Sequence, residues 1–260
     1  NGQTHQTDFL VNCMGGLHIP NYPDIPGQQS FKGTSFHTAR WNHEHNLSGK
    51  RVAVIGTAAS AIQLIPEIVS KVEHLDVYQR TPNWIVSRPY MAYSEKWKQR
   101  FKRFPWLEKL HRLQIYLTFE MRFPLFRQGK FFAKRATRMF MKHLEAQVQD
   151  PDLRAKLTPD YPIGCKRILA SDTYFPALQQ DHVALITDGI AEIRPEGIAT
   201  HDGTVRPVDT IIYATGFKPW DQMDGLTIKG KNGLDMNSYL ADGIRAHRTV
   251  AMPGFPNLFM

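Results

Sequence analysis

A continuous apolar run and a helical pattern lie next to each other in the first third of the chain. The run RVAVIG at residues 51–56 is rich in β-branched side chains, which is typical of a parallel strand buried on both faces. The next segment, TAASAIQLIPEIVSKV, repeats apolar residues at helical spacing, and LDVYQ at 75–79 is the next candidate strand. A strand, a tight turn of small residues, a helix and a second strand in this order predict a βαβ unit.

Shorter apolar runs occupy both ends of the chain. DFLVNC at 8–13 predicts a buried strand that ends at Gly15-Gly16, and NYPDIPG after it predicts a rigid, extended linker. VDTIIYATGF at 208–217 predicts one more buried strand. Three runs before it predict further short strands, including a small β-meander: HVALIT (182–187), AEIR (191–194) and GIATH (197–201). Together these segments favour an α/β, Rossmann-like fold, with a parallel sheet, helices and a small meander.

The region from residue 90 to 160 has a different composition, rich in Lys, Arg and aromatic residues. Apolar residues recur there at three and four positions, and Pro105 and Pro124 interrupt the pattern; the recurring leucines are Leu107, Leu110, Leu113 and Leu117. We interpret the region as a helical insertion whose apolar stripe faces its own domain. The alternative is that residues 95–142 contact an anionic membrane surface or RNA through their basic and aromatic side chains. Of these two partners we expect the peripheral membrane contact and no nucleic acid.

Composition narrows the class of protein. The chain has 260 residues, 42% of them hydrophobic, a formal net charge of +8, and no apolar run long enough to span a membrane. The first residues lack the pattern of a signal peptide, and Cys13 and Cys165 are too few for a disulfide framework. We therefore expect a soluble, cytoplasmic protein whose positive charge suits a phosphate-bearing partner. His43, Glu44 and His45 are interpreted as solvated, and no metal site is expected.

The turn between the two strands of the βαβ unit is a candidate phosphate site. In a dinucleotide-binding turn three glycines form the bend, admit the pyrophosphate and allow close helix packing, and here these positions hold Gly56, Ala58 and Ala61. The pyrophosphate then lies on the free N–H groups of the helix N-terminus. The candidate cofactor-binding residues of this turn are Gly56, Thr57, Ala58, Ala59 and Ser60. The methyl group of Ala58 leaves the affinity of the turn open.

The end of the second strand indicates which dinucleotide binds. An acidic residue there would bind the ribose 2′-hydroxyl of NAD, whereas an arginine accommodates the 2′-phosphate of NADP. The sequence has Gln79-Arg80-Thr81 and no acidic residue at this place. Arg80 can form paired hydrogen bonds to a phosphate and Thr81 can donate from its hydroxyl, so these two residues favour NADP(H) as the cofactor.

Four residues ahead of the βαβ unit complete a specific pattern. Phe31, Gly33, His37 and Trp41 fit FxGxxxHxxxW, which resembles the signature of Baeyer-Villiger monooxygenases. Other segments resemble the same family in the same order: VAVIGTAASAIQ, VYQRTPNW, PIGCKR and IIYATGF. The resemblance covers nearly the whole chain. It implies a class B flavoprotein monooxygenase, in which NADPH reduces FAD and one oxygen atom of O2 is inserted into a ketone.

The resemblance also implies roles for particular residues. Lys166 would join Arg80 and Thr81 on the 2′-phosphate. The candidate catalytic residues are Arg167, which would face the flavin and stabilise its negatively charged oxygenated form, and His37, which would couple domain movement to cofactor positioning. The implied domains are residues 1–45 as the end of an FAD-domain segment with a linker, 46–213 as the NADP-binding domain with the insertion, and 214–260 as the return segment to the FAD domain.

One feature of that family is missing from the sequence. Its FAD site requires a first GxGxxG, and none occurs in these 260 residues. We therefore expect a partial chain with remnants of an FAD domain, without tightly bound FAD and inactive by itself. Oxygenation of nitrogen or sulfur, as in flavin-containing monooxygenases, stays open because the same flavin chemistry can attack either kind of substrate. A disulfide reductase is disfavoured because the two cysteines are far apart in the sequence.

Overall fold

The computed structural model describes residues 2–88, 92–121, 130–219, 225–243 and 245–260, with the backbone alone at 130–133. The chain divides into two compact units. The larger unit comprises residues 24–38 and 42–214, and the smaller comprises residues 1–23, 39–41 and 215–260. Each unit has its own sheet and its own hydrophobic core.

Strands and helices alternate along the larger unit, and short strands dominate the smaller one. The strands are β1 (Leu10–Val11), β2 (Thr34–His37), β3 (Arg51–Ile55), β4 (His74–Tyr78), β5 (Ile85–Val86), β6 (Leu169–Ala170), β7 (Val183–Ile186), β8 (Ile190–Arg194), β9 (Gly197–Thr200), β10 (Val205–Pro207), β11 (Thr210–Tyr213), β12 (Ala251–Met252) and β13 (Phe255–Phe259). The helices are α1 (Ala61–Ile68), α2 (Glu95–Arg103), α3 (Pro105–Glu120), α4 (Lys130–Gln147), α5 (Pro151–Leu157), α6 (Tyr174–Leu178) and α7 (Met236–Leu240).

A parallel five-stranded sheet forms the centre of the larger unit, with the strand order β2-β11-β3-β4-β7. Every neighbouring pair in it is parallel, so the carboxyl ends of its five strands lie at one edge. Val52, Ala53 and Val54 of the central strand β3 are fully buried, as the β-branched run predicts. β3, α1 and β4 are the predicted βαβ unit, and the α/β fold is confirmed.

An antiparallel meander of β8, β9 and β10 packs on one face of this sheet. Ile193 and Ile198 of the meander share a buried cluster with Ala53, Ile55 and Ile211 of the sheet. Of the three short strands predicted before 208–217, two are strands of the meander, β8 and β9, while 183–186 joins the parallel sheet as β7. The third strand of the meander, β10, was not predicted. The helical spacing of α1 is reflected in its buried residues, which are Ala61, Ile62, Ile65 and Ile68.

The helical insertion has two parts with different packing. In α4, Ala136 and Phe140 are buried in one cluster with Trp84 and Ile163. No residue of α2 or α3, both of which the structure describes completely, is buried. The predicted burial of the apolar stripe on 107–117 is therefore wrong, because the main neighbour of α3 is α2.

The two prolines of the insertion have different outcomes. Pro105 is the first residue of α3, a position where proline is favoured because its missing N–H would have no helical partner there. It therefore begins a helix as well as ending the one before it. Pro124 lies outside the described residues.

The smaller unit contains a three-stranded sheet in the order β1-β13-β12. Its core consists of Met236, Met252, Phe255 and Leu258. The prediction of a buried strand at 8–13 is wrong, since β1 contains two residues, both exposed, and pairs as an edge strand with β13. None of the helices in the described ranges is both long and apolar enough to cross a membrane.

Candidate cofactor-binding site

The turn between β3 and α1 has the backbone shape that the sequence predicts. Gly56 has φ 106°, a conformation that side chains with a Cβ rarely adopt, and its N–H donates to the carbonyl of Tyr78 at 3.0 Å. The N–H of Ile62 donates to the carbonyl of Ala58 at 3.1 Å, so the helical hydrogen bonds start at the turn itself. The N–H groups of the first helical turn have no helical carbonyl to bind, which makes such an end suited to a phosphate.

The segment that follows β4 lies beside this turn, because β3 and β4 are neighbours in the parallel sheet. Thr57 is buried, and its hydroxyl donates to the carbonyl of Thr81 at 3.5 Å. The side-chain amide of Asn83 donates to the carbonyl of Thr57 at 3.0 Å. Arg80, by contrast, is exposed. The turn and the strand end are thus connected by hydrogen bonds, while the guanidinium stays accessible to a ligand.

A cleft of about 560 Å³ opens next to this strand end. Its lining comes from residues 79–82 after β4, from Thr187 after β7, and from the end of α5 with the segment that follows it; the lining residues there are Ala155, Lys156, Thr158, Asp160, Tyr161, Cys165 and Lys166. Arg80, Thr81 and Lys166 therefore lie around one cleft. Among the described lining residues, three side chains are cationic and one is a carboxylate, so the cleft favours an anion.

Residues 79–84 after β4 form the first wall of the cleft, and residues 155–166 form its second wall. Three hydrogen bonds join these two walls. The side-chain amide of Gln79 donates to the carbonyl of Lys156 at 2.7 Å. The hydroxyl of Tyr161 donates to the carbonyl of Pro82 at 3.0 Å, and the indole N–H of Trp84 donates to the carbonyl of Tyr161 at 3.1 Å. Because Gln79 and Trp84 are themselves buried, these bonds fix the second wall to the core of the larger unit.

Aromatic side chains pack against this second wall. Trp84 packs edge-on against Phe140 of α4, with 5.7 Å between ring centroids, and against Tyr161 at 6.4 Å. The ammonium of Lys166 lies 4.6 Å from the centroid of the Tyr161 ring. Burial raises the pKa of Tyr161, so its phenol stays protonated and donates its hydrogen bond at neutral pH.

The other predicted site residues lie outside the lining of this cleft. Arg167 is exposed and follows Lys166 directly. His37 is fully buried as the last residue of β2, opposite Tyr213 of β11, at the same edge of the sheet as the Gly56 turn. Arg80 and Lys166 therefore share the lining of one cleft, whereas Arg167, although adjacent to Lys166 in the chain, and His37 are not among the described lining residues.

The spacing of the four-residue signature has a packing reason at its first two positions. A Cβ on Gly33 would collide with the carbonyl of Asp209 and with the ring of Phe31. Phe31 in turn packs against the cluster under the meander. At the other end of the signature, Trp41 belongs to the smaller unit, so the signature segment runs from one unit into the other.

The sequence does not assign several residues that line the cleft or support its walls. Asn83 and Trp84 follow Arg80 and Thr81 within the quoted segment VYQRTPNW, so proximity in the chain was the available signal for them. Lys156, near the end of α5, and Tyr161, in the segment after it, have no such signal, because only tertiary folding brings them to the cleft.

Comparison with known proteins finds relatives along the whole chain. Residues 2–112 match the model of the flavin-binding monooxygenase-like family. The chain is 43% identical over 258 residues to a Baeyer-Villiger monooxygenase of Pseudomonas aeruginosa, with 99% of this chain and 49% of that protein covered. It is 39% identical to a Baeyer-Villiger monooxygenase of Streptomyces coelicolor, with 98% of this chain and 49% of that protein covered. The chain spans about half the length of the curated relatives it matches.

A solved structure shows the same likeness in three dimensions. The crystal structure of OTEMO in complex with FAD and NADP matches with a TM-score of 0.81 and 30% sequence identity. The match covers 97% of this chain and 56% of the OTEMO chain.

Proposed function

We propose that this chain, whose residues 2–112 match the flavin-binding monooxygenase-like family, provides the NADP(H) site of an NADPH- and FAD-dependent monooxygenase that inserts one oxygen atom of O2 into a ketone. The observation that carries the proposal is the shared cleft of Arg80, Thr81 and Lys166, which adjoins the Gly56 turn. A site of this kind suits a dinucleotide with an extra phosphate on its adenosine ribose.

Each wall of the cleft contributes a different kind of phosphate ligand. Arg80 offers a planar guanidinium that can donate two parallel hydrogen bonds, and Thr81 adds a hydroxyl donor. Lys166 brings a compact positive charge from the segment after α5, which lines the same cleft. The pyrophosphate would lie on the turn of Gly56 to Ser60, where the N-terminus of α1 begins. The 2′-phosphate and the pyrophosphate would then bind at adjacent strand ends of one sheet edge.

Arg167 and His37 are assigned supporting roles in this proposal. When bound, NADPH would supply the hydride that reduces FAD, and O2 would supply the inserted oxygen atom. Arg167 follows Lys166 on the same exposed segment, so binding of the 2′-phosphate would fix the backbone next to Arg167 and orient its guanidinium toward negative charge. His37 is buried two residues before the chain enters the smaller unit, where it would hold the crossing segment in place. No GxGxxG motif occurs in these 260 residues, so no residue is assigned to FAD.

The cofactor assignment is tested by calorimetric titration of the 260-residue protein with NADP+ and NAD+. We expect NADP+ to bind more tightly, and Arg80→Ala to weaken NADP+ binding about ten- to hundredfold while leaving NAD+ nearly unchanged, since a hydrogen bond to a charged group is lost. The matched control is Arg138→Ala, an exposed arginine on α4 outside the cleft. Equal affinity for both dinucleotides would contradict the proposal.

The two cysteines give an independent measure of where the cofactor binds. Cys165 lines the cleft, whereas Cys13 is exposed in the smaller unit. We expect NADP+ to slow alkylation of Cys165 and to leave alkylation of Cys13 unchanged, as measured by mass spectrometry of the labelled peptides. Equal labelling rates with and without NADP+ at Cys165 would place the ligand elsewhere.

The substrate class is tested by product analysis in the FAD-loaded enzyme that contains this chain. A ketone and a thioether are offered together with NADPH and O2. An ester from the ketone supports Baeyer-Villiger chemistry. A sulfoxide without ester would instead support the heteroatom oxygenation that the family also allows.

We further propose that the outer surface of α2 and α3 contacts an anionic membrane. Its apolar stripe is solvent-exposed, with Trp106 at 60%, Leu110 at 55% and Leu113 at 49% exposure. The two helices carry seven lysines and arginines against three glutamates, so cations flank the stripe. An apolar stripe flanked by cations suits a surface of negatively charged lipid headgroups.

Vesicle sedimentation tests this contact. We expect the protein to sediment with vesicles that contain phosphatidylglycerol and not with pure phosphatidylcholine, and the double variant Leu110→Ser/Leu113→Ser to stay in solution. A surface-matched control is Leu17→Ser, which changes an exposed leucine of the smaller unit. Absence of sedimentation, self-association through the same residues, or binding of RNA in its place would each overturn the membrane proposal.

A further inference from the structure

We infer that Tyr161 is the residue that positions Lys166 for the 2′-phosphate of NADP(H), an inference that rests on the function proposed above. The Lys166 ammonium lies over the Tyr161 ring, 4.6 Å from its centroid, and both residues line the cleft. A cation over the face of an aromatic ring is attracted by the ring's quadrupole. Because Lys166 is exposed and has a flexible four-carbon stem, this contact reduces the number of positions its charge can occupy.

The orientation of the Tyr161 ring does not depend on Lys166. The Tyr161 hydroxyl donates to the Pro82 carbonyl at 3.0 Å, and the Tyr161 carbonyl accepts from the Trp84 indole at 3.1 Å. The ring also packs edge-on against Trp84, which is buried. Tyr161 is therefore a fixed platform, attached at both its backbone and its hydroxyl, on which a mobile lysine can be held.

The two cations proposed to bind the phosphate come from different segments that line the cleft. Arg80 belongs to the strand-end wall, and Tyr161 with Lys166 belongs to the wall between α5 and β6. Asp160 lines the same cleft, and its carboxylate competes with a phosphate for any lysine that is free to move. Holding the ammonium on the Tyr161 ring keeps that charge available for the ligand.

The consequence is a selective effect on one dinucleotide. NAD lacks the 2′-phosphate, so a residue that acts only by positioning Lys166 contributes to NADP+ binding and not to NAD+ binding. The cation–π contact at a partly exposed site corresponds to about a two- to fivefold change in affinity. Tyr161 is thus expected to set the preference for NADP+ through Lys166, without touching the phosphate itself.

A double-mutant cycle in the 260-residue protein tests the inference. Affinities for NADP+ and NAD+ are measured for the wild type, Tyr161→Leu, Lys166→Ala and the double variant, with thermal unfolding of each as the folding control. We expect Tyr161→Leu to weaken NADP+ about two- to fivefold and to leave NAD+ unchanged. The double variant should bind NADP+ no more weakly than Lys166→Ala, because the ring has no further role once the ammonium is gone. Tyr161→Phe keeps the ring and should restore most of the preference.

The outcomes separate this inference from the function on which it rests. If the wild type shows no preference for NADP+, the proposed function fails. If the wild type prefers NADP+ but Tyr161→Leu weakens both dinucleotides equally, or if the two substitutions are additive, only the positioning role fails. If Tyr161→Phe is as defective as Tyr161→Leu while folded, the hydroxyl and not the ring is responsible, which also overturns the inference.

Discussion

The two parts of the helical insertion have similar compositions and opposite environments. Both are rich in lysine, arginine and aromatic residues. α4 packs through Ala136 and Phe140 on Trp84, and so lies directly behind the wall of the candidate cofactor cleft. α2 and α3 pack mainly on each other, and none of their residues, all of which the structure describes, is buried.

This difference shows that amphipathic spacing does not by itself decide where a helix face goes. The buried residues of α4, Ala136, Phe140 and Leu144, recur at helical spacing. Leu110, Leu113 and Leu117 of α3 also recur at helical spacing, yet they are exposed. What differs is the partner, because α4 meets the aromatic cluster around Trp84 and α3 does not. The first part of the insertion, α2 and α3, therefore exposes its apolar residues to solvent. The second part, α4, packs against the residues that hold the candidate cofactor cleft.

The largest expected effect is on folding stability. Phe140→Ala should lower the free energy of unfolding by about 3–5 kcal/mol, because it leaves a cavity beside Trp84. Urea denaturation followed by circular dichroism measures it. The control is Trp106→Ala on α3, an exposed aromatic that should change the free energy of unfolding by less than about 0.5 kcal/mol. Equal losses in the two variants would remove the contrast between the two parts.

A second change affects the connection between the aromatic cluster and the cleft. Trp84→Phe keeps a ring but removes the N–H that donates to the Tyr161 carbonyl, and it should cost about 1–2 kcal/mol of stability. Since the lost bond holds the second wall, NADP+ affinity should also fall. Trp97→Phe on α2 is the control and should change neither property. Unfolding curves and titrations on the same preparations check both expectations. Unaltered NADP+ binding in Trp84→Phe would show that the aromatic cluster around Trp84 has no influence on the cofactor site.

A third comparison concerns charge. Lys156→Ala, at the cleft, should weaken NADP+ binding by about fivefold, the size expected of one partly exposed ion pair. Lys109→Ala on α3, which is not among the described lining residues, should leave it unchanged at physiological salt, where interactions between exposed charges are largely screened. Isothermal titration measures both. A loss of similar size in Lys109→Ala would show that overall charge, and not the cleft, attracts the cofactor.

The smallest expected effect lies on α2. Lys98 and Glu95 form an ion pair at 2.6 Å, but both side chains are largely exposed to solvent. Lys98→Gln should therefore cost less than about 0.5 kcal/mol, and that difference should vanish at high salt. Thermal unfolding at two salt concentrations detects it. A loss above about 1 kcal/mol would mean that α2 is held in the fold more firmly than its exposure indicates.

Much of the larger unit was predictable, because its signals are local. The βαβ unit, the bend at Gly56 and the position of Arg80 at a strand end follow from residues that are consecutive in the chain. The prediction of a buried strand at 8–13 failed because an apolar run does not reveal how many neighbours a strand has. Only the family resemblance assigns a role to Lys166, and nothing in the sequence indicates that its ammonium contacts the Tyr161 ring.

The amino-acid sequence alone determined the order of elements, the glycine at the bend and the basic strand end, because periodicity and backbone conformation depend on neighbouring residues. The tertiary structure decided which helix faces are covered and which side chains share the cleft. The hydrogen bonds that join its two walls link residues 77 to 79 positions apart in the chain. Contacts between residues so far apart depend on how the whole unit packs, so local patterns in the sequence do not predict them.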